Sequence, residues 1–173
     1  ELMNCGTEAM TLRGVTFTSG VVLTFGDLTL APQERLLAVR NYTVFTNTYA
    51  TAPGTKIVPF ASGNTAKKGE TIAYAAPDGT QILSYTYTRD WYPGTVETGY
   101  ALEVVNPMLA ADDPGWSDGS NWRVGSFVNG TPGTSADAPY DPSTDPGGDE
   151  PGGTRAAPND ETLLWNGANG AVW

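Results

Sequence analysis

The sequence predicts an all-β protein, and three observations carry that expectation. Residues 81–105 (QILSYTYTRDWYPGTVETGYALEVV) alternate Ile82, Ser84 and Thr86 with Leu83, Tyr85 and Tyr87. They break at a loop anchored by Trp91 and Pro93, then resume as a second run from Tyr100 to Val105. Pro77-Asp78-Gly79 stands between that alternation and an earlier one, and Asp-Gly between two alternating runs signals a hairpin. The 21 glycines and 13 prolines among 173 residues suit many short strands joined by turns. With 39% hydrophobic residues, the chain is long enough for one domain with its own core plus a tail.

The elements follow in order. Residues 1–4 (ELMN) read as the end of a strand, turned by Cys5-Gly6. Residues 11–18 (TLRGVTFT) form a strand, and Ser19-Gly20 turns it into a second one over 21–25. Residues 35–40 (RLLAVR) make a short buried strand. Asn41 can cap a single helical turn that brings Val44 and Phe45 near Tyr49, although β-branched residues recur throughout 41–50. Residues 57–60 are a brief apolar run, Lys67-Lys68-Gly69 is an exposed turn, and 71–75 (TIAYA) is a strand. Residues 110–121 (AADDPGWSDGSN) read as a polar loop, 122–127 (WRVGSF) as a last short strand, and 129–133 (NGTPG) close the domain.

Composition then changes. Residues 134–160 are rich in Pro, Gly, Asp, Ser and Thr, too poor in apolar side chains to offset the entropy of ordering, and are expected to form a disordered acidic linker. Residues 161–173 (ETLLWNGANGAVW) recover Leu, Val and Trp and read as the start of a further β module, cut short. The chain begins at Glu1 without a leader pattern and reads as a piece of a longer one.

Several function classes are excluded or disfavoured. With no histidine and a single cysteine, Cys5, there is no Ser-His or Cys-His catalysis, no intrachain disulfide and no ordinary zinc site; Cys5 reads as a buried thiol on a strand. The net charge is −10, of which residues 1–133 carry −4 and residues 134–173 carry −6, and no basic stripe is interleaved with aromatics, so nucleic acid is not an expected partner. No apolar run approaches the roughly 20 residues a membrane-spanning helix needs.

Three constellations carry candidate chemistry. Asp112, Asp113, Asp118 and Asn121 gather hard oxygen ligands in one loop, as a calcium site would, although their spacing is not that of an EF-hand and solvated acidic turns look the same. Calcium is accordingly the one cofactor in view. Asp90, Glu97 and Glu103 contain the two carboxylates that glycoside hydrolysis requires, but no cleft is implied and Glu103 sits within a strand. Among Tyr42, Tyr49, Tyr92, Tyr100 and Trp116, some can form a platform for sugars or peptides. Trp116 and Tyr92 are the candidates, Trp116 because Gly115 and Ser117 beside it argue for exposure. Asn41-Tyr42-Thr43 and Asn129-Gly130-Thr131 match the glycosylation acceptor pattern.

Taken together, ELMN, LRGVTFTSG, LTLAPQERLLAV, KKGETIAYAAPDGTQILSYTY, DWYPGTVETGYALEVVNP, SNWRVGS and NGTPG, in that order over residues 1–133, resemble the lamin tail domain in its bacterial extracellular form. The specificity lies in the order of many weak motifs. Where the family pattern has a tryptophan after the first turn, this chain has Val15 or Phe17; its glycine before the third strand is Gln33; its serine in the S-L-E strand is Ala101, and all three read as packing exchanges. The family's strand preceding E-L-x-N is missing, which implies an unpaired sheet edge and a site of self-association.

The resemblance implies an immunoglobulin-like antiparallel β-sandwich with Trp91, Trp122, Phe17, Phe25, Leu36, Ile72, Leu83 and Leu102 in its core. It also implies a non-catalytic binding or structural module of a larger secreted or cell-surface protein, with a cell-envelope polysaccharide or protein as partner. The alternatives are an accessory domain of a neighbouring hydrolase or a calcium-stiffened adhesion module.

Overall fold

The computed structural model describes residues 1–134 and 171–172. The expected linker beyond Thr134 lies outside the described residues, as does all of the expected further module except Ala171 and Val172.

The described chain is mostly β. Its strands are β1 (Leu2–Met3), β2 (Met10–Thr11), β3 (Thr16–Ser19), β4 (Val21–Val22), β5 (Thr29–Leu30), β6 (Arg35–Val39), β7 (Lys56–Pro59), β8 (Ser62–Gly63), β9 (Gly69–Ala75), β10 (Gln81–Thr88), β11 (Tyr100–Val104), β12 (Trp122–Val128) and β13 (Ala171–Val172). They form a four-stranded sheet in the order β13-β1-β6-β7, a three-stranded sheet β10-β9-β3, and the pairs β11-β12, β2-β5 and β4-β8. One α-helix, α1 (Tyr42–Thr48), connects β6 to the parallel β7. No helix among the described residues is long and apolar enough to cross a membrane.

The β9–β10 hairpin is the longest pairing and follows directly from its pattern. Strand β9 pairs antiparallel with β10 from Gln81↔Ala75 to Thr88↔Gly69. The turn is closed by the Ala76 N–H on the Thr80 carbonyl (2.8 Å), and the Asp78 carboxylate accepts from the Thr80 N–H (2.9 Å). This is the local chemistry that makes Asp-Gly a turn former. Ile72, Tyr74, Leu83 and Tyr85 are all buried.

The first expected hairpin is present in altered form. Thr11 ends β2, which pairs with β5, and the chain then re-enters as β3. Gly20 takes φ +90° at the reversal, a conformation glycine adopts without steric cost. The returning chain bonds back through Phe17 N–H to Leu23 O and Phe25 N–H to Val15 O (both 2.9 Å), while β4 takes β8 as its ladder partner. Gln33 has φ +63°, a left-handed conformation that glycine adopts more readily than a residue with a side chain.

Helix α1 runs for seven residues instead of the expected single turn. The Asn41 side chain caps it by accepting from the Val44 N–H (3.1 Å), and Phe45 stacks on Tyr49 at 4.7 Å between ring centroids. None of its residues is buried.

The core gathers residues from nearly every strand. Phe17, Phe25, Leu36, Ile72, Leu83 and Trp122 lie inside it as expected, and Trp91 and Leu102 pack partly buried against it. Each fully buried large side chain contributes on the order of 1.5–3 kcal/mol. Cys5 is a half-buried free thiol just after β1, not on a strand, and burial pushes its thiol up from the ordinary value. The sheet edge at β1, expected to be open, carries β13 in parallel register, Leu2↔Ala171 and Met3↔Val172.

Candidate functional site

The loop 110–121, where the sequence concentrates acidic and aromatic candidates, folds as two short 3-10 turns, Pro114–Ser117 and Gly119–Asn121. Each starts on an aspartate. The Asp113 carboxylate accepts from the Gly115 N–H (2.8 Å), and the Asp118 carboxylate accepts from the Ser120 N–H (2.9 Å). The latter bond and one from the Ser120 hydroxyl hold the Asp118 carboxyl below its ordinary value. The Asn121 amide oxygen accepts from the Asn106 N–H (3.0 Å), while the Asn121 carbonyl accepts from the Val105 N–H (2.7 Å), tying the end of the loop to the end of β11. Asp112 is exposed. Three of the four expected calcium ligands thus have an oxygen bonded to backbone N–H groups. Among the described residues, no group of three or more His, Cys, Asp or Glu side chains is placed to hold a metal ion.

Trp116 corrects the expectation of exposure: it retains only 1% of its surface. Flanking Gly115 and Ser117 suggest a surface position, but the 3-10 turn points the indole inward. There it meets Tyr85 at 6.1 Å and Trp122 at 6.4 Å between ring centroids. Its polar edge is satisfied, since Trp116 Nε1–H donates to the Ala110 carbonyl (2.9 Å). Trp122 Nε1–H in turn donates to the Trp116 carbonyl (3.0 Å). A buried indole without such a partner would be costly.

Tyr92 is half-buried rather than a free platform, and its hydroxyl donates to the Gly119 carbonyl (3.1 Å). Trp91 lies so close over Gly119 that a Cβ there would stand 2.9 Å from the indole Cγ. Tyr85 on β10, Trp91, Trp116 and Trp122 form one aromatic cluster, with Trp122 meeting Tyr85 at 5.2 Å and Trp91 at 6.1 Å between ring centroids. The Ser117 hydroxyl oxygen accepts from the Thr86 N–H (3.0 Å), which fastens the loop to β10.

The three carboxylates considered for acid-base work have different surroundings. Asp90 is exposed, Glu97 pairs with Lys67 at 3.1 Å with the Glu97 side chain largely and the Lys67 side chain partly in solvent, and Glu103 is buried on β11. Glu103 stands opposite Arg123 in the β11–β12 register, and Arg123 Nε–H donates to its Oε2 (3.3 Å).

A second buried carboxylate, Glu1, was not visible as a candidate in sequence. Arg35 on the neighbouring strand β6 donates to its Oε1 (2.7 Å) and the Gly133 N–H to its Oε2 (2.8 Å), a clasp between residues 132 positions apart. Burial pushes the Glu1 carboxyl up, against the opposing pull of Arg35 and of the Gly133 N–H. No local pattern announces a contact of that sequence separation.

No family model matches the chain, and no curated protein or solved structure matches it either.

Proposed function

We propose that this chain is a non-catalytic binding or structural module of a larger extracellular or cell-surface protein, built as a lamin-tail-like, immunoglobulin-type β-sandwich. The observation that carries the reading is the use to which the buried and loop carboxylates are put. Glu1 and Glu103 are each bonded to an arginine, and Asp113 and Asp118 each start a turn by accepting a backbone N–H. These groups hold strands and loops in place, as a scaffold requires.

Gln33 supports the resemblance from an independent direction. It sits in left-handed backbone at the position where the family pattern has glycine, the residue that such a conformation favours. The burial of Val15 and Phe17, either of which can stand for the family's tryptophan, fits the same resemblance. The net charge of −10 disfavours nucleic acid, and the resemblance implies a cell-envelope polysaccharide or protein as the partner class.

The test is a thermal melt of the full chain alone, with calcium, with chelator and with a panel of envelope polysaccharides, because a ligand of the native state raises the midpoint by mass action. A rise with a polysaccharide supports a targeting module, a rise with calcium supports a calcium-stiffened adhesion module, and constant midpoints support a spacer. Release of reducing ends from any polysaccharide in the panel by the chain alone overturns the non-catalytic reading.

A further inference from the structure

Cations are scarce in this chain, and most of them are committed to a partner. Among the described residues, Arg13, Arg35, Lys56, Lys67 and Arg123 form ion pairs with Asp27, Glu1, Glu34, Glu97 and Glu103 respectively, and Arg40 donates to the Asn64 side chain. Lys68 and Arg89 differ. Both are exposed, and neither side chain has an ion pair or hydrogen bond among the described residues.

The fold sets these two side by side. Strand β9 pairs with β10 as far as Thr88↔Gly69, and one step further the Arg89 N–H donates to the Lys68 carbonyl (3.3 Å), so the two cations stand opposite each other. Residues placed in this way have Cβ atoms about 5 Å apart, and like charges there repel. Gly69 allows the close approach: it takes φ +103°, and a Cβ on it would collide with the Tyr87 carbonyl oxygen. The nearby carboxylates are turned to other groups or stand alone. Glu97 is bonded to Lys67, the Glu70 carboxylate accepts from the Ala66 N–H and the Tyr87 hydroxyl, and exposed Asp90 forms no ion pair among the described residues.

We propose that Lys68 and Arg89 form an anion-binding pair that takes the carboxylate or phosphate groups of an acidic cell-envelope polysaccharide. The site rests on the polysaccharide reading above and narrows it to acidic polymers. Arginine holds a carboxylate or phosphate through its planar fork and lysine adds a point charge, so one anionic group can bridge both and remove the repulsion between them. The net charge of −10 repels a densely charged strand such as nucleic acid. A polymer whose acidic groups are spaced by a sugar ring can seat a single group on the pair.

Binding of the full chain to surface-bound polygalacturonate, poly(glycerol phosphate) and neutral dextran tests this, at low and at high salt, with a thermal melt of each protein. The variants are K68Q/R89Q and, as a control for charge removed elsewhere, R13Q/R40Q. The wild type and R13Q/R40Q are expected to bind one acidic polymer about tenfold or more tightly than dextran, and less tightly at high salt. The polymer preferred tells carboxylate from phosphate. K68Q/R89Q is expected to lose that preference while melting no lower than the wild type. Equal affinity of wild type and K68Q/R89Q for the acidic polymers overturns the site, as does an equal loss in R13Q/R40Q. Dextran bound as tightly as the acidic polymers by the wild type overturns the site and leaves the polysaccharide reading standing, whereas a wild type that binds no polymer overturns both. Should K68Q/R89Q melt below the wild type, K68Q and R89Q are measured singly: a loss of affinity at an unchanged midpoint supports the site, and no loss overturns it.

Discussion

The loop 110–121 and helix α1 are opposites. The loop has no regular pattern and carries three aspartates, yet it places one of the largest side chains of the protein, Trp116, at 1% exposure. The helix is regular and capped at Asn41, yet buries none of its residues, and Tyr42 and Val44 stay exposed. The difference teaches that backbone regularity and burial have separate causes. Two aspartate-started turns shape the loop so that an indole reaches Tyr85 and Trp122. The helix, seven residues long and rich in threonine, is too short to be stable by propensity and rests on its cap and on the Phe45–Tyr49 stack.

Three substitutions or titrations sharpen that comparison. The largest effect is expected in the loop: Trp116→Ala leaves a cavity among aromatics and lowers stability by about 3–5 kcal/mol in urea denaturation. A loss below about 0.5 kcal/mol, the range of surface positions, would put the indole outside the core. In the helix, Asn41→Ala removes the cap and costs about 1 kcal/mol. The Val44 amide should then exchange faster while tryptophan fluorescence stays as it was, and a shift in that fluorescence would couple α1 to the core after all.

The smallest effect is that of acid on the second turn. The Asp118 carboxyl is held below its ordinary value of 3.8 by the Ser120 backbone and hydroxyl bonds. The unfolded chain therefore takes up the proton first as pH falls. The turn's contribution is complete above the ordinary value and fades only as pH drops through the lower folded one. The Ser120 amide resonance should report a midpoint under 3.8, and Asp118→Asn should abolish the titration. A midpoint at or above the ordinary value would mean that the bond does not form in solution.

What was legible in the sequence was local. The β9–β10 hairpin was readable because alternation and Asp-Gly turn chemistry act within a few residues. The Asn41 cap was readable for the same reason, although the helix runs longer than one turn. The candidate site was legible only as a location. The loop 110–121 was singled out, but Trp116 was expected in solvent, because Gly115 and Ser117 say nothing about what lies beneath them. Asp112, Asp113, Asp118 and Asn121 read in sequence as candidate ligands for an ion, and the structure adds that Asp113, Asp118 and Asn121 each have an oxygen accepting a backbone N–H.

The sequence by itself determined the longest strands and the turn between them, β9 and β10, since side-chain alternation, β-branching and Asp-Gly punctuation set backbone preference residue by residue. Only the tertiary structure decided which strands lie together and which side chains are enclosed: β4 against β8, the clasp of Glu1 with Arg35 and Gly133, Trp116 inside the aromatic cluster, and Ala171–Val172 along β1. Those outcomes depend on apolar area and backbone bonds shared between residues far apart in the chain, and a pattern a few residues long does not contain them.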